Sequence, residues 1–119
     1  MLIVVSGPYS HSDPLVKQGR VKTIANTCVK LCQNGDICCS PLLAGLSLIE
    51  KSDNKMPDDY EFWKDFCRSY VEAGDVLYVL DIQGWEDSTG VQDEIECARS
   101  FCMPVYLMEP DTLEIIKQL

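Results

Sequence analysis

Three short runs are apolar at nearly every position: Leu2-Ile3-Val4-Val5, Val76-Leu77-Tyr78-Val79-Leu80, and Pro104 to Met108. A strand with one wet face alternates apolar and polar residues. A strand that is apolar throughout must be covered on both sides, which is the mark of a parallel sheet held between helices. The stretches between the runs have helical spacing. From Pro14 to Gln33, apolar residues recur at Val21, Ile24/Ala25, Cys28 and Leu31/Cys32, the stripe of a helix lying on a sheet. Asp13 is placed to cap that helix, with Pro14 at its first position and Asn34-Gly35 at its end. Asp36 to Ser40 reads as a second strand, stopped by Pro41.

Residues 41–58 are the least regular part of the chain. Leu42 to Ile49 suits a short helix, and Ser52 to Asp58 is turn chemistry. A helix is expected from Asp59 to Ala73, on the spacing of Tyr60, Trp63, Phe66/Cys67 and Tyr70/Val71, with Gly74 closing it. Another is expected from about Thr89 to Cys102, with Ser88 as its cap. Pro110-Asp111 begins a last short helix or strand. Strand–helix–strand order repeated along the chain predicts an α/β fold. The expectation is a single domain over residues 1–119, a flavodoxin/Rossmann-like three-layer sandwich on a parallel four- to five-stranded sheet. Such sheets bind ligands beyond the carboxyl ends of their strands. Three segments should meet there: Ser6 to Asp13, Ser40 onward, and Asp81 to Gly90.

Charge and cysteine content narrow the function. Ten Lys and Arg against nineteen Asp and Glu leave a net charge of −9, which disfavours binding to the backbone of duplex nucleic acid. No apolar run reaches membrane-spanning length, and the start of the chain reads as a buried strand rather than an export signal. Seven cysteines, an odd number without CxxC spacing, fit a reduced, cytoplasmic setting better than a disulfide framework. With His11 the only histidine, no metal site and no cofactor are expected.

Two segments carry candidate chemistry. Ser6-Gly7-Pro8-Tyr9-Ser10-His11-Ser12-Asp13 places hydroxyls and backbone donors before a helix, suited to a phosphate or sugar, or to an ordinary strand–helix turn. It has neither G-x-G-x-x-G nor the P-loop lysine. In Ser88-Thr89-Gly90-Val91-Gln92-Asp93-Glu94, a hydroxyl and free N–H groups stand at a helix start, which is favourable to an anion. Glu94 follows Gly90 by four residues on the same face, and its carboxylate leans back over Gly90, where no side chain blocks it. The plainer reading is a solvated helix glutamate. Arg20 either faces a bound phosphate or is simply exposed. His11, Trp63 and Trp85 read first as loop or packing residues, and Glu86 and Asp87 as solvated acids.

Taken together, Ser6-Gly7-Pro8-Tyr9-Ser10, Arg20, Ser40-Pro41, Trp63, Gly84-Trp85, Ser88-x-Gly90-Val91-x-x-Glu94-x-x-x-Ala98 and Pro104-Val105 resemble the nucleoside 2-deoxyribosyltransferase-like superfamily, and in particular its DUF1937 family. The resemblance covers nearly the whole chain and is most specific from Ser88 to Ala98. It implies a flavodoxin-like fold, a homodimer or larger assembly, and a nucleoside or nucleotide as the small-molecule partner. It implies N-glycosidase or deoxyribosyltransferase activity, with Glu94 attacking C1′ of a (deoxy)nucleoside or its 5′-monophosphate. Ser88 would then bind the 5′-phosphate, and Ser6, Gly7, Tyr9, Ser10, Arg20 and Gly90 would surround the substrate. A carboxylate at C1′ stabilises an oxocarbenium-like centre and can form a glycosyl-enzyme intermediate.

The chain departs from that pattern twice. Cys67 stands where relatives carry an acid, and Asp65 lies about 200° around the helix from it. Ala44 lies in the neighbourhood where a histidine is expected after Ser-Pro. The alternative reading is therefore a catalytically altered or inactive nucleotide-binding protein on the same fold.

Overall fold

The computed structural model describes all residues, 1–119. In chain order the elements are β1 (Leu2–Ser6), α1 (Pro14–Gln33), β2 (Ile37–Cys39), α2 (Pro41–Lys51), α3 (Tyr60–Ala73), β3 (Val76–Leu80), a 3-10 turn (Trp85–Asp87), α4 (Thr89–Ser100), β4 (Val105–Met108) and β5 (Ile115–Gln118). They build one five-stranded sheet in the order β2-β1-β3-β4-β5. The first four strands are parallel; β5 runs antiparallel to β4. This is the three-layer α/β arrangement expected, with the strand order of flavodoxin-like sheets. It differs in its last strand, which returns by a tight connection. The Glu109 carboxylate accepts the N–H groups of Asp111 and Thr112, both at 2.7 Å. That turn leaves too few residues for the crossover helix a fifth parallel strand would need.

Alternation along each strand sorts the core into two halves. Ile3 and Val5 of β1, with Val76, Leu80 and Met108, pack against Ile24 and Leu31 of α1. Val4, Leu77, Val79, Val105 and Leu107 point the other way, onto Val71 of α3 and Val91, Ile95 and Ala98 of α4. Ser6, two residues beyond Val4, therefore faces α4. No helix is long and apolar enough to cross a membrane.

Each of the four α-helices starts on a side-chain cap; Asp13 and Ser88 are the two expected from the sequence, and Ser40 and Asp59 are two more. The side chains of Asp13, Ser40, Asp59 and Ser88 accept the N–H groups of Leu15, Leu43, Phe62 and Val91. The Ser40 cap, with Pro41 at the first position, launches a full helix from the region with the weakest pattern. The α4 helix ends at Ser100 rather than Cys102, which has a φ of 54°. Strand β2 is three residues long, shorter than Asp36 to Ser40.

The α3–β3 corner allows no side chain at Gly74. A Cβ there would stand 2.4 Å from Cγ2 of Val4, a fully buried residue. Gly74→Ala is expected to lower stability by roughly 1–3 kcal/mol through overpacking, read as a drop in denaturant midpoint without a change of slope.

Candidate functional site

At the carboxyl ends of β1 and β2 a cleft opens between the first loop, α2, α3 and the start of α4. Its floor is Glu94. This glutamate is only 6% exposed, although most glutamates are solvated. The hydroxyl of Ser6, itself buried, donates to Glu94 Oε1 at 2.6 Å across 88 residues of sequence. The Cys67 thiol lies beside the same carboxyl group. Burial pushes the Glu94 carboxyl up to about 7; the Ser6 hydrogen bond pulls against it, the Asp93 charge adds to it, and Cys67 also pulls it down. Burial, then the neighbouring Glu94 charge, pushes the Cys67 thiol up to about 12, so near neutral pH it is a protonated thiol.

Asp93, the next residue back, meets a different fate. Arg68 of α3 clasps its carboxylate with Nε and Nη2, and the Tyr60 hydroxyl donates to it at 2.8 Å. The Arg68 pair holds the Asp93 carboxyl below the usual carboxylate range. This network stands the Tyr60 ring against Gly90, where an added Cβ would meet ring carbons at 3.0 and 3.2 Å. The bare face of Gly90 thus admits the Tyr60 ring, which becomes a wall of the cleft. The opposite wall comes from Pro41, Leu42, Leu46 and Ile49, the apolar stripe of α2. Trp63 closes the end. Its ring packs on Gly45, and its Nε1 donates to the Pro57 carbonyl at 2.7 Å, which pins the loop before α3 over the mouth. Asp58 sits on that rim, ion-paired at 3.4 Å with Lys17, whose ammonium lies 4.7 Å from the centre of the Tyr9 ring.

Of the residues singled out from sequence, Ser6, Gly7, Tyr9, Ser10, Cys67, Ser88, Gly90 and Glu94 line this one cleft. Arg20 does not. Its guanidinium donates to the carbonyls of Ser10 at 2.8 Å and Gln83 at 2.9 Å and packs on Gly84, whose φ is 96°. Arg20 therefore clamps the first loop to the loop after β3. His11 is exposed, with Nδ1 accepting the Asp13 N–H at 2.9 Å. Trp85 packs on the core beside α4. No cluster of His, Cys, Asp and Glu suited to a metal ion is present.

Sequence reasoning missed Asp58, the Arg68–Asp93–Tyr60 network and the α2 wall. The wall had a signal: Ser40-Pro41 is a cap followed by a first-turn proline, and Leu42, Leu46 and Ile49 are four and three residues apart. The network had none, because Arg68 and Asp93 meet only when α3 lies beside α4.

The chemistry of this arrangement is that of one desolvated carboxyl group, a hydroxyl donor and a helix N-terminus in an aromatic-walled cleft with no cationic side chain in its lining. An α/β sheet of flavodoxin-like order with its cleft at the strand ends gives the class. The profile of the family described as Domain of unknown function (DUF1937) matches residues 2–110, and the chain belongs to that family. No curated protein matches the chain.

The burial of Glu94 sets a stability test. The folded state holds its proton up to about pH 7, whereas an unfolded glutamate releases it near 4.3. Between these values the folded state binds more protons, so stability falls as pH rises. Glu94→Gln keeps the shape and removes the charge. Relative to this variant, wild type is expected to lose about 3 kcal/mol of stability as pH climbs from 4 to 8, measured by urea unfolding of both proteins across the range.

Proposed function

We propose that the protein cleaves the N-glycosidic bond of a (deoxy)nucleoside or its 5′-monophosphate, by hydrolysis or by transfer to a second base, with Glu94 as nucleophile. The observation that carries this reading is the Ser6–Glu94 pair at the floor of an aromatic-walled cleft. It extends to this chain the kinship with nucleoside 2-deoxyribosyltransferases that the Ser88-to-Ala98 pattern suggests. In this reading a planar base lies against the aromatic wall of Tyr60 and Trp63, facing the α2 stripe. The sugar then lies over Glu94, and a 5′-phosphate reaches Ser88 and the first N–H groups of α4.

In this mechanism the ionised Glu94 carboxylate attacks C1′. The C–N bond breaks, its electron pair leaves with the base, and the base takes up a proton. The resulting glycosyl ester is opened by water or by another base, which restores the carboxylate. Ser6 holds one carboxylate oxygen and fixes the direction of attack. The lining offers no second carboxylic acid on the floor to protonate the leaving base. Cys67 occupies that position with a thiol held protonated. This favours the second reading, a protein that binds nucleotides and turns them over slowly or not at all.

Chromatography of free base released from a panel of nucleosides and nucleoside 5′-monophosphates separates the two. Turnover is expected to rise with pH through about 7 as Glu94 ionises and to vanish in Glu94→Gln, which still binds. Cys67→Asp, supplying an acid, is expected to raise base release. Binding without release in both wild type and Cys67→Asp establishes the second reading; wild-type turnover in Glu94→Gln refutes the nucleophile.

With no cationic side chain in the lining, preference for a 5′-phosphate rests on Ser88 and the start of α4. Wild type is expected to bind nucleotides more tightly than the matching nucleosides. Ser88→Ala should narrow that gap by roughly ten- to a hundredfold, the worth of a hydrogen bond to a charged group, measured by calorimetry with the nucleoside as internal control.

A further inference from the structure

Outside the cleft, the last turn of α1 and the short edge strand β2 bring two thiols into contact. Cys32 Sγ and Cys38 Sγ are 3.7 Å apart. Neither belongs to the cleft lining, and all seven cysteines are free. The turn between the two is rigidly built. The Asp36 N–H donates to the Leu31 carbonyl and the Gly35 N–H to the Cys32 carbonyl, each at 3.0 Å. With Gly35 at a φ of 89°, this is a Schellman closure of the helix. Beyond it, Cys38 is fixed in register opposite Ile3 of β1. Cys38 points to the α1 side of the sheet, packing on the same half of the core as Leu31. Two regular elements and a glycine turn thus hold the sulfurs face to face, where side-chain rotation brings them to the roughly 2.05 Å of a disulfide.

We propose that Cys32 and Cys38 are a reversible dithiol–disulfide pair, a site of oxidation by peroxide. Cys32 is exposed and Cys38 half-buried, so the oxidant reaches Cys32 first. The Cys32 thiolate attacks one peroxide oxygen. The O–O bond breaks, and the departing hydroxide takes a proton to become water, leaving a sulfenic acid. The Cys38 sulfur, losing its proton, attacks the Cys32 sulfur. The S–O bond breaks, and hydroxide again leaves as water. Two thiols have given two electrons and two protons to one peroxide, with two waters formed. A low-molecular-weight thiol reverses the bond by exchange. Burial and the neighbouring thiols push the Cys38 thiol up, in keeping with its part as the second, resolving sulfur. Cys28, half-buried on the preceding turn of α1, also neighbours Cys38: its carbonyl accepts the Cys38 thiol at 3.6 Å and its own thiol lies beside that sulfur, so peptide mapping must tell Cys32–Cys38 from Cys28–Cys38.

The test uses the reduced full-length chain treated with a slight excess of hydrogen peroxide. Intact mass is expected to fall by about 2 Da with two alkylatable thiols lost, and peptide mapping should join Cys32 to Cys38. Dithiothreitol should restore both thiols. Independently, phenylarsine oxide, which bridges adjacent thiols, should bind the reduced protein in one equivalent. It should fail to do so in Cys32→Ser and in Cys38→Ser, while Cys28→Ser and Cys102→Ser keep it. Stable sulfinic acid on Cys32, a cross-link mapped to any other pair, or an unchanged arsenical stoichiometry in Cys32→Ser overturns the proposal. Cys32 is exposed, so its serine variant perturbs no core packing.

Discussion

A glutamate carboxyl group enclosed between a β-strand and a helix is costly to leave charged, and here a short hydrogen bond from Ser6 offsets part of that cost while burial still raises its proton affinity. That bond ties the carboxyl end of β1 to the second turn of α4. It depends on the parity of β1: Ile3 and Val5 go to the α1 side, Val4 and Ser6 to the α4 side. Shifting the strand by one residue would bury Val5 beside Glu94 and turn Ser6 away. Strand β1, through its register, therefore sets the electrostatics of the cleft floor. The same desolvation that makes Glu94 a burden on stability raises its basicity, so the carboxyl group keeps its proton until about pH 7.

Asp93 and Glu94 are adjacent in sequence but live in different electrostatic surroundings. One step of α4 turns Asp93 toward α3, where Arg68 and Tyr60 keep it ionised, and turns Glu94 toward the sheet, where burial favours its proton. The two carboxylates repel, and each is held by its own partner. The Asp93 network has a second consequence, because the phenol it anchors is the wall that leans on Gly90. Likewise Trp63 supports the rim through Pro57, and Arg20 ties the first loop to Gln83. These side chains hold backbone in place, and the loops around the cleft derive their shape from them.

The polarity of neighbouring positions on β2 shows the same logic. Cys38 packs toward α1 and Cys39 toward the half of the core that includes α4. Cys39 there feels the Glu94 charge, which together with burial pushes its thiol up. A three-residue edge strand thus joins a pair of contacting thiols on one side of the sheet to the surroundings of the buried carboxylate on the other.

What the sequence determined by itself is local and periodic. Uninterrupted apolar runs declared β1, β3 and β4 as covered strands. Asp13, Ser88 and Gly35 marked helix ends, and spacing alone put Ser88, Gly90 and Glu94 at one end of one helix. Those properties depend on residues a few positions apart, so a periodicity of two or 3.6 exposes them. Tertiary structure decided everything that joins distant segments. The partner of Glu94 is 88 residues away, Arg68 finds Asp93 only across a helix pair, and Arg20 bonds to carbonyls on two loops instead of turning into the cleft. The last strand turned antiparallel because a glutamate side chain closed a tight turn on it. Composition and spacing specify which face of an element is apolar; which element that face meets depends on strand order and chain length, and the chemistry of the cleft follows from those meetings.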